Sequence, residues 1–310
     1  MKISTVVTHN NLIADFVADK RSDNTKRAYR KDLEDFFKII TNSSISQEVV
    51  LWFINLNRHQ AIALVYQYKV NLLERGLTEN TVNRRLASIR SLVSYASRVG
   101  ACEWNLADVR GEKVELYRDT SGIPVSKIAD MLEVIDHSTL KGKRDYSILR
   151  LLWDNALRRG EIVRANIEDF DAEALTLSIV GKGKGTQKQK ISLSSKTAQA
   201  IQKWLIYRKE SDPSEPLFIS LDRVHRGHRL TGESIALLVK KTARLVGITK
   251  KMSPHRMRHS AITAALEATN GNVLMVQKLS RHVKIETLLI YNDQRINPQK
   301  QVTDLLSNII

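Results

Sequence analysis

Through most of the 310-residue chain, apolar residues recur at spacings of three and four, the period of a helix that buries one face. The first such stretch, Asn24–Ile40, puts Tyr29, Leu33, Phe36, Phe37 and Ile40 on one side and leaves Lys26, Arg27, Arg30 and Lys31 mostly off it. Val49–Asn57 and Ile62–Arg75 follow, and Gly76 supplies a stop. Thr78 can cap the next helix, which runs to about Arg98 with Val82, Leu86, Ile89, Val93 and Ala96 inward and Arg84, Arg85 and Arg90 on other faces. Residues 1–100 therefore predict a small helical bundle with basic outer faces. Residues 101–124 carry Gly111, Gly122 and Pro124 without clear periodicity and read as an interdomain linker. Helical period resumes over Val125–Ile135 and Lys143–Asn155. At Ala174–Val180 and Lys188–Leu193 it gives way to alternation around a Gly/Lys turn, Gly181–Gly185, which predicts a β-hairpin. Helices return at Ser195–Lys209, Thr231–Val246, His255–Thr269 and Val273–Leu279. Near the end, Val302, Leu305, Leu306 and Ile309 stripe a short terminal helix within Gln301–Ile310. The expected fold is mainly α with a small β-hairpin or sheet, in two domains, residues 1–100 and 125–310.

Composition narrows the function classes. Lys and Arg total 49 against 33 Asp and Glu, a net charge of +16. Such a surplus predicts attraction to polyanions, nucleic acid first and an anionic membrane surface second. The basic residues are spread over both domains, which disfavours a membrane-surface role, and no apolar stretch is long enough to span a bilayer. Cys102 is the single cysteine, so no intramolecular disulfide is expected and a reducing, cytoplasmic compartment fits. Met1–Lys20 lacks the apolar run and cleavage site of a signal peptide.

Four clusters of the second domain could carry chemistry: Ala156-Leu157-Arg158-Arg159-Gly160-Glu161, the turn Gly181–Gly185, Pro254-His255-Arg256-Met257-Arg258-His259, and Leu279-Ser280-Arg281-His282 with Tyr291 nine residues after His282. His255 and His259 have the i, i+4 spacing of zinc ligands, but Arg256 and Arg258 beside them would repel a cation, and no metal is expected. Gly181-Lys182-Gly183-Lys184 sits in a hairpin and does not open a helix, so it is not a nucleotide-binding loop.

Taken in order, the clusters resemble the tyrosine recombinase (phage integrase) family. The family's Arg with a Glu three residues on matches Arg158 and Glu161; its hairpin lysine matches Lys182; its His-x-x-Arg-His box matches His255, Arg258 and His259; its next His and its nucleophile match His282 and Tyr291. Asn24-Thr25-x-x-x-Tyr29 and Thr81-x-Asn83-Arg84-Arg85-Leu86 resemble the family's core-binding domain. Three departures stand out. Ala156 occupies a position where glycine usually precedes Leu-Arg; Ser280-Arg281 replaces a small Gly before the His; and the turn holds both Lys182 and Lys184, of which Lys182 is favoured.

The resemblance implies a helical core-binding bundle plus an α+β catalytic domain, and a site-specific DNA recombinase. Tyr291 would attack a DNA phosphodiester and form a 3′-phosphotyrosyl link, with Arg158 and Arg258 holding the charge that builds on the phosphorus oxygens. His255 would accept the phenol proton, Lys182 would protonate the departing 5′-oxygen, and His282 would hydrogen-bond the phosphate. Glu161 would orient an Arg and His259 would help fix its helix. Lys26, Arg27, Arg30, Arg84, Arg85 and Arg90 are the expected DNA contacts of the first domain. The implied partners are double-stranded DNA with paired half-sites and further copies of the chain, four on two duplexes, linked by the C-terminal tail in trans. No cofactor is implied. Two alternatives remain open: a type IB topoisomerase-like enzyme, and a non-catalytic DNA-binding regulator derived from a recombinase. The compact first domain and the short apolar tail favour recombination, and the complete set of catalytic-type residues disfavours decay.

Overall fold

A computed structural model describes residues 11–114, 122–181, 185–209, 212–286, 288–289 and 298–309. The chain divides into two compact units, residues 1–117 and 118–310.

The first unit holds α1 (Leu12–Ala18), α2 (Asp23–Thr41), α3 (Gln47–Ile54), α4 (Arg58–Glu74) and α5 (Glu79–Arg98). The predicted stripes face inward: Leu33, Phe36 and Phe37 of α2 and Val82, Leu86, Ile89 and Val93 of α5 are buried. Phe36 is the aromatic centre, with Phe37, Phe53 and Tyr68 edge-on at 5.0, 5.2 and 5.1 Å between ring centroids. Capping moves two helix starts ahead of the apolar pattern. Ser46 Oγ accepts from the Val49 amide at 3.3 Å, and Asn57 Oδ1 accepts from the Gln60 amide at 2.9 Å, so α4 begins four residues before Ile62.

The stretch expected to be a linker is not uniformly one. Cys102, Leu106 and Val109 are buried in the first unit's core, and Trp104 Nε1 donates to the Leu56 carbonyl at 2.8 Å. Asn83 pairs with the Glu112 backbone through both its amide atoms, at 2.7 and 2.8 Å. Residues 101–114 thus form a strap on the bundle. A strap buries single side chains without any period, which is why hydrophobic patterning did not place it.

The second unit begins with α6 (Val125–Glu133), α7 (Leu140–Asp154) and α8 (Arg159–Arg164). A three-stranded antiparallel sheet follows in the order β1 (Phe170–Asp171), β2 (Thr176–Val180), β3 (Lys188–Ser192). Then come α9 (Ser195–Arg208), α10 (Gly232–Leu245), α11 (Pro254–Ala268), α12 (Val273–Ser280) and α13 (Pro298–Ser307). The predicted hairpin is present, with Leu177 opposite Ile191 and Ile179 opposite Gln189. Leu177 and Ile179 point into a core with Leu149, Ile201 and Trp204, while β3 is largely exposed. The two-residue β1 is too short to leave a period and was not foreseen. Helix α7 lies at the centre, packed against α9 and α11. It starts three residues before the expected Lys143 because Thr139 Oγ1 accepts from the Gly142 amide at 2.9 Å. Gly142 is required there, since a Cβ would lie 1.7 Å from the Asp136 carbonyl oxygen.

Candidate active site

Three segments of the second unit converge: the α7–α8 turn, the first turns of α11 and the end of α12. In the first, α7 stops at Asp154 and the chain reverses through Ala156 in the left-handed region, φ 45°. Leu157 is buried in the main core, which leaves Arg158 at the N-cap of α8. Glu161 closes a box on that N-cap. Its Oε2 accepts from the Arg158 amide at 2.9 Å and its Oε1 from Arg158 Nη1 at 2.8 Å. The Glu161 side chain is 1% exposed and is paired there with the Arg158 guanidinium.

Helix α11 begins at a Ser253 cap, whose Oγ accepts from the Arg256 amide at 3.1 Å, with Pro254 in the first turn. His255, Arg258 and His259 are spaced at i, i+3 and i+4, and further along the helix Ala261, Ile262 and Leu266 pack into a small core that includes Ala156 and Val276. Arg258 is 2% exposed and donates to the carbonyls of Ala156 and Ser280. The His255 and His259 rings meet edge to face, Nε2 to Nε2 at 2.7 Å, so one imidazole N–H donates to the other's lone pair.

Helix α12 ends in a second left-handed residue, Arg281, φ 57°, whose amide donates to the Gln277 carbonyl at 2.7 Å. His282 follows, held by Gln277 Nε2 donating to its carbonyl at 3.1 Å. Burial is the first cause, and the charges of Arg258, Arg158, Arg281 and His255 are the others, that push the His282 imidazole down to about 4. It is therefore neutral at physiological pH, with one N–H to donate. Arg281 is itself buried and its guanidinium reaches Glu161 Oε2 at 3.3 Å.

The structure thus brings together Arg158, Glu161, His255, Arg258, His259 and His282, drawn from positions more than 120 residues apart. Two guanidiniums, those of Arg158 and Arg281, bond to one carboxylate, Glu161, and Arg258 adds a third positive charge acting on His282. The surplus of positive charge, with a neutral imidazole beside it, suits a phosphate that gains negative charge during reaction. Lys182 and Tyr291 lie outside the described residues; β2 and β3, which flank the lysine, form the expected hairpin. Arg281 was visible in the sequence only as a departure from the family's glycine. A charged side chain next to the box His, with a buried Glu to receive it, was the available signal.

The basic residues of the first unit divide. Arg85 pairs with Asp35 and donates to Tyr68 Oη at 3.1 Å, and Arg84 pairs with the buried Asp32. Arg90 donates to the Val109 carbonyl at 3.2 Å. Among the described residues, Arg27 and Arg30 bond to their own helix, to Asn24 at 2.7 Å and Glu34 at 3.1 Å, and both are exposed, with Lys26 half-buried.

Comparison with known proteins follows the same division. A family model described as "Phage integrase family" matches residues 123–297, and one described as "Phage integrase, N-terminal SAM-like domain" matches residues 14–100. The chain is 48% identical over 302 residues to "Tyrosine recombinase slr0733" of Synechocystis sp. (strain ATCC 27184 / PCC 6803 / Kazusa), covering 97% of this chain and 96% of that protein. It is 44% identical to "Tyrosine recombinase Synpcc7942_B2651" of Synechococcus elongatus, covering 94% and 91%. Among solved structures, the XerH site-specific recombinase bound to palindromic difH substrate superposes with a TM-score of 0.67 at 18% identity, over 91% of this chain and 80% of that one, a likeness of fold.

Proposed function

Because the chain belongs to the phage integrase family of tyrosine recombinases, we propose that it is a site-specific DNA recombinase working through a 3′-phosphotyrosyl intermediate on Tyr291. The observation that carries this reading is the convergence of Arg158, Arg258 and neutral His282 at one point of the second unit. A scissile phosphate placed there meets two planar donor forks that stay protonated at any working pH and one imidazole N–H. Attack by Tyr291 adds charge to the non-bridging oxygens, where these donors act most strongly. The phenol proton passes to His255, whose partner His259 steadies the ring through the 2.7 Å contact. Lys182, which lies in the sequence between β2 and β3, protonates the departing 5′-oxygen. The phosphotyrosyl bond retains the phosphodiester's energy, so a 5′-hydroxyl of another strand can displace Tyr291 without ATP.

Tetramer assembly on two duplexes is part of the same proposal. Val302, Leu305, Leu306 and Ile309 of α13 and its C-terminal end are all exposed, an apolar stripe left uncovered on the single chain. Docking in a neighbouring subunit would bury it and link assembly to Tyr291, a few residues upstream. In the first unit, Lys26, Arg27 and Arg30 are the proposed backbone contacts to DNA.

A nicked suicide DNA substrate tests the enzyme. Wild type should trap as a covalent adduct that survives protein denaturation and addition of EDTA. Tyr291→Phe should bind the same DNA with unchanged affinity and form no adduct, because only the phenolic oxygen is removed. An adduct in the Phe variant overturns the assignment. Products that always rejoin the original partner would identify a type IB topoisomerase-like cycle instead.

A further inference from the structure

Where the family places glycine before the box His, this chain carries Arg281, yet its backbone keeps the left-handed conformation that favours glycine. The side chain answers for that backbone. It is 8% exposed, and among the described residues its guanidinium hydrogen bonds are to the walls of the phosphate site. Nη1 donates to the carbonyls of Asn155 at 3.2 Å and Leu279 at 2.5 Å; Nη2 donates to the carbonyl of Ala156 at 3.2 Å and to Glu161 Oε2 at 3.3 Å. A glycine could make none of these bonds.

Each partner leads directly to a reacting group. Asn155 and Ala156 form the turn that delivers Arg158. Glu161 holds Arg158 by backbone and guanidinium. Leu279 closes the helix that delivers His282. Arg258 bridges the same two segments, through the carbonyls of Ala156 and Ser280, so the turn and the end of α12 are tied twice. There is an electrostatic consequence as well. Arg158 and Glu161 alone would make a neutral pair, and the carboxylate would compete with phosphate for the guanidinium. A second cation on Glu161 leaves the trio with a net positive charge, so Arg158 keeps its pull on the phosphate.

We propose that Arg281 is a positioning residue of the phosphate site: its guanidinium, shared between Glu161 and the carbonyls of residues 155, 156 and 279, holds Arg158 and His282 in place for the reacting phosphate. The proposal rests on the recombinase reading above. It extends to the charge state of His282, which faces Arg158 from α8, Arg258 and His255 from α11, and Arg281 from its own segment, with Glu161 as the carboxylate bonded to two of them.

The test compares Arg281→Met, which keeps much of the volume and the same backbone demand, with Arg281→Lys, which keeps the charge but not the fork. For each, we would measure single-turnover cleavage of the suicide substrate, DNA affinity, and the His282 titration by NMR in the free protein. The Met variant should cleave on the order of 10²-fold more slowly at near-normal affinity, and its His282 titration should move upward, with burial, Arg258 and Arg158 still holding it below the ordinary value. The Lys variant should keep the low His282 titration and still cleave slowly, since one ammonium cannot serve four acceptors on three segments. Wild-type cleavage by the Met variant, or a His282 titration unmoved by loss of the charge, overturns the proposal. A structural role alone would slow cleavage without moving that titration. If Arg281→Met does not fold, Arg281→Gly, which suits the left-handed backbone, carries the same measurements. Absence of any adduct in wild type would instead defeat the recombinase reading itself.

Discussion

His282 is held neutral by its burial and by the charges around it, and that has a price in acid. Its imidazole titrates at about 4 in the folded protein, below the ordinary value of 6.5. Between those values the unfolded chain carries a proton that the folded chain does not. Folding stability should therefore be lost as pH falls from about 6.5 toward 4, and be unaffected by this group above 7. The stability difference between wild type and His282→Gln in urea should change from pH 7 to pH 5 by this term; an identical difference at both would mean that His282 is not depressed. In the first unit, two arginines that look alike in sequence part company. Arg85→Ala should lower stability by about 2 kcal/mol, the cost of stripping charged hydrogen bonds from Asp35 and Tyr68. Arg30→Ala, at an exposed position paired with Glu34 at i, i+4, should leave unfolding unchanged and make the salt slope of DNA binding shallower by about 1. Paired urea melts and salt titrations of the two variants distinguish a fold residue from a contact residue.

At the scale of elements, the site depends on helix ends. Arg158 is an N-cap, His255 and Arg258 lie in the first turns of α11, and Arg281 and His282 leave the last turn of α12. Helix ends are where backbone groups are unsatisfied and where a small change of cap re-aims side chains. Ser253 is the cap of α11 and its loss should cost about 1 kcal/mol. Ser253→Ala should thus shift the urea midpoint modestly while reducing cleavage more than DNA affinity, because the frayed turn carries His255 and not the bulk of the phosphate contacts. Equal losses in cleavage and affinity would argue that the first turn of α11 does not orient the reacting groups. The left-handed Ala156 is another such end. Its backbone costs roughly 1–2 kcal/mol, and the two guanidiniums on its carbonyl oppose that cost.

For the whole molecule, charge and the tail govern behaviour. If both units of this chain of net charge +16 bind one duplex and neutralise about 8 phosphates, the slope of log K on log salt should be near −7. Deleting residues 302–310 should leave the thermal midpoint and single half-site binding near normal, since the stripe on α13 is exposed on the single chain. Cooperative binding to paired half-sites should weaken. A truncated protein that is insoluble as a monomer would mean that the tail packs on its own domain.

Much of this was legible in the chain. Helices α2, α5 and α9–α12 and the β2–β3 hairpin follow from periodicity, because a face that must be buried repeats at the period of its backbone. Ordered motifs nominated the candidate site residues, since residue type and spacing survive in one dimension, and the structure brings six of them together: Arg158, Glu161, His255, Arg258, His259 and His282. Other features were legible only in three dimensions. The strap of residues 101–114 has no period, and β1 is too short for one. That Arg85 is occupied by Asp35, fifty residues earlier, depends on which helices pack together. Arg281 is the clearest case: as a sequence letter it is a departure from glycine, and only the fold brings it to Glu161, 120 residues away. Local pattern is set by the backbone's own repeat, whereas the partner of a buried charge is set by whichever distant segment the packing delivers.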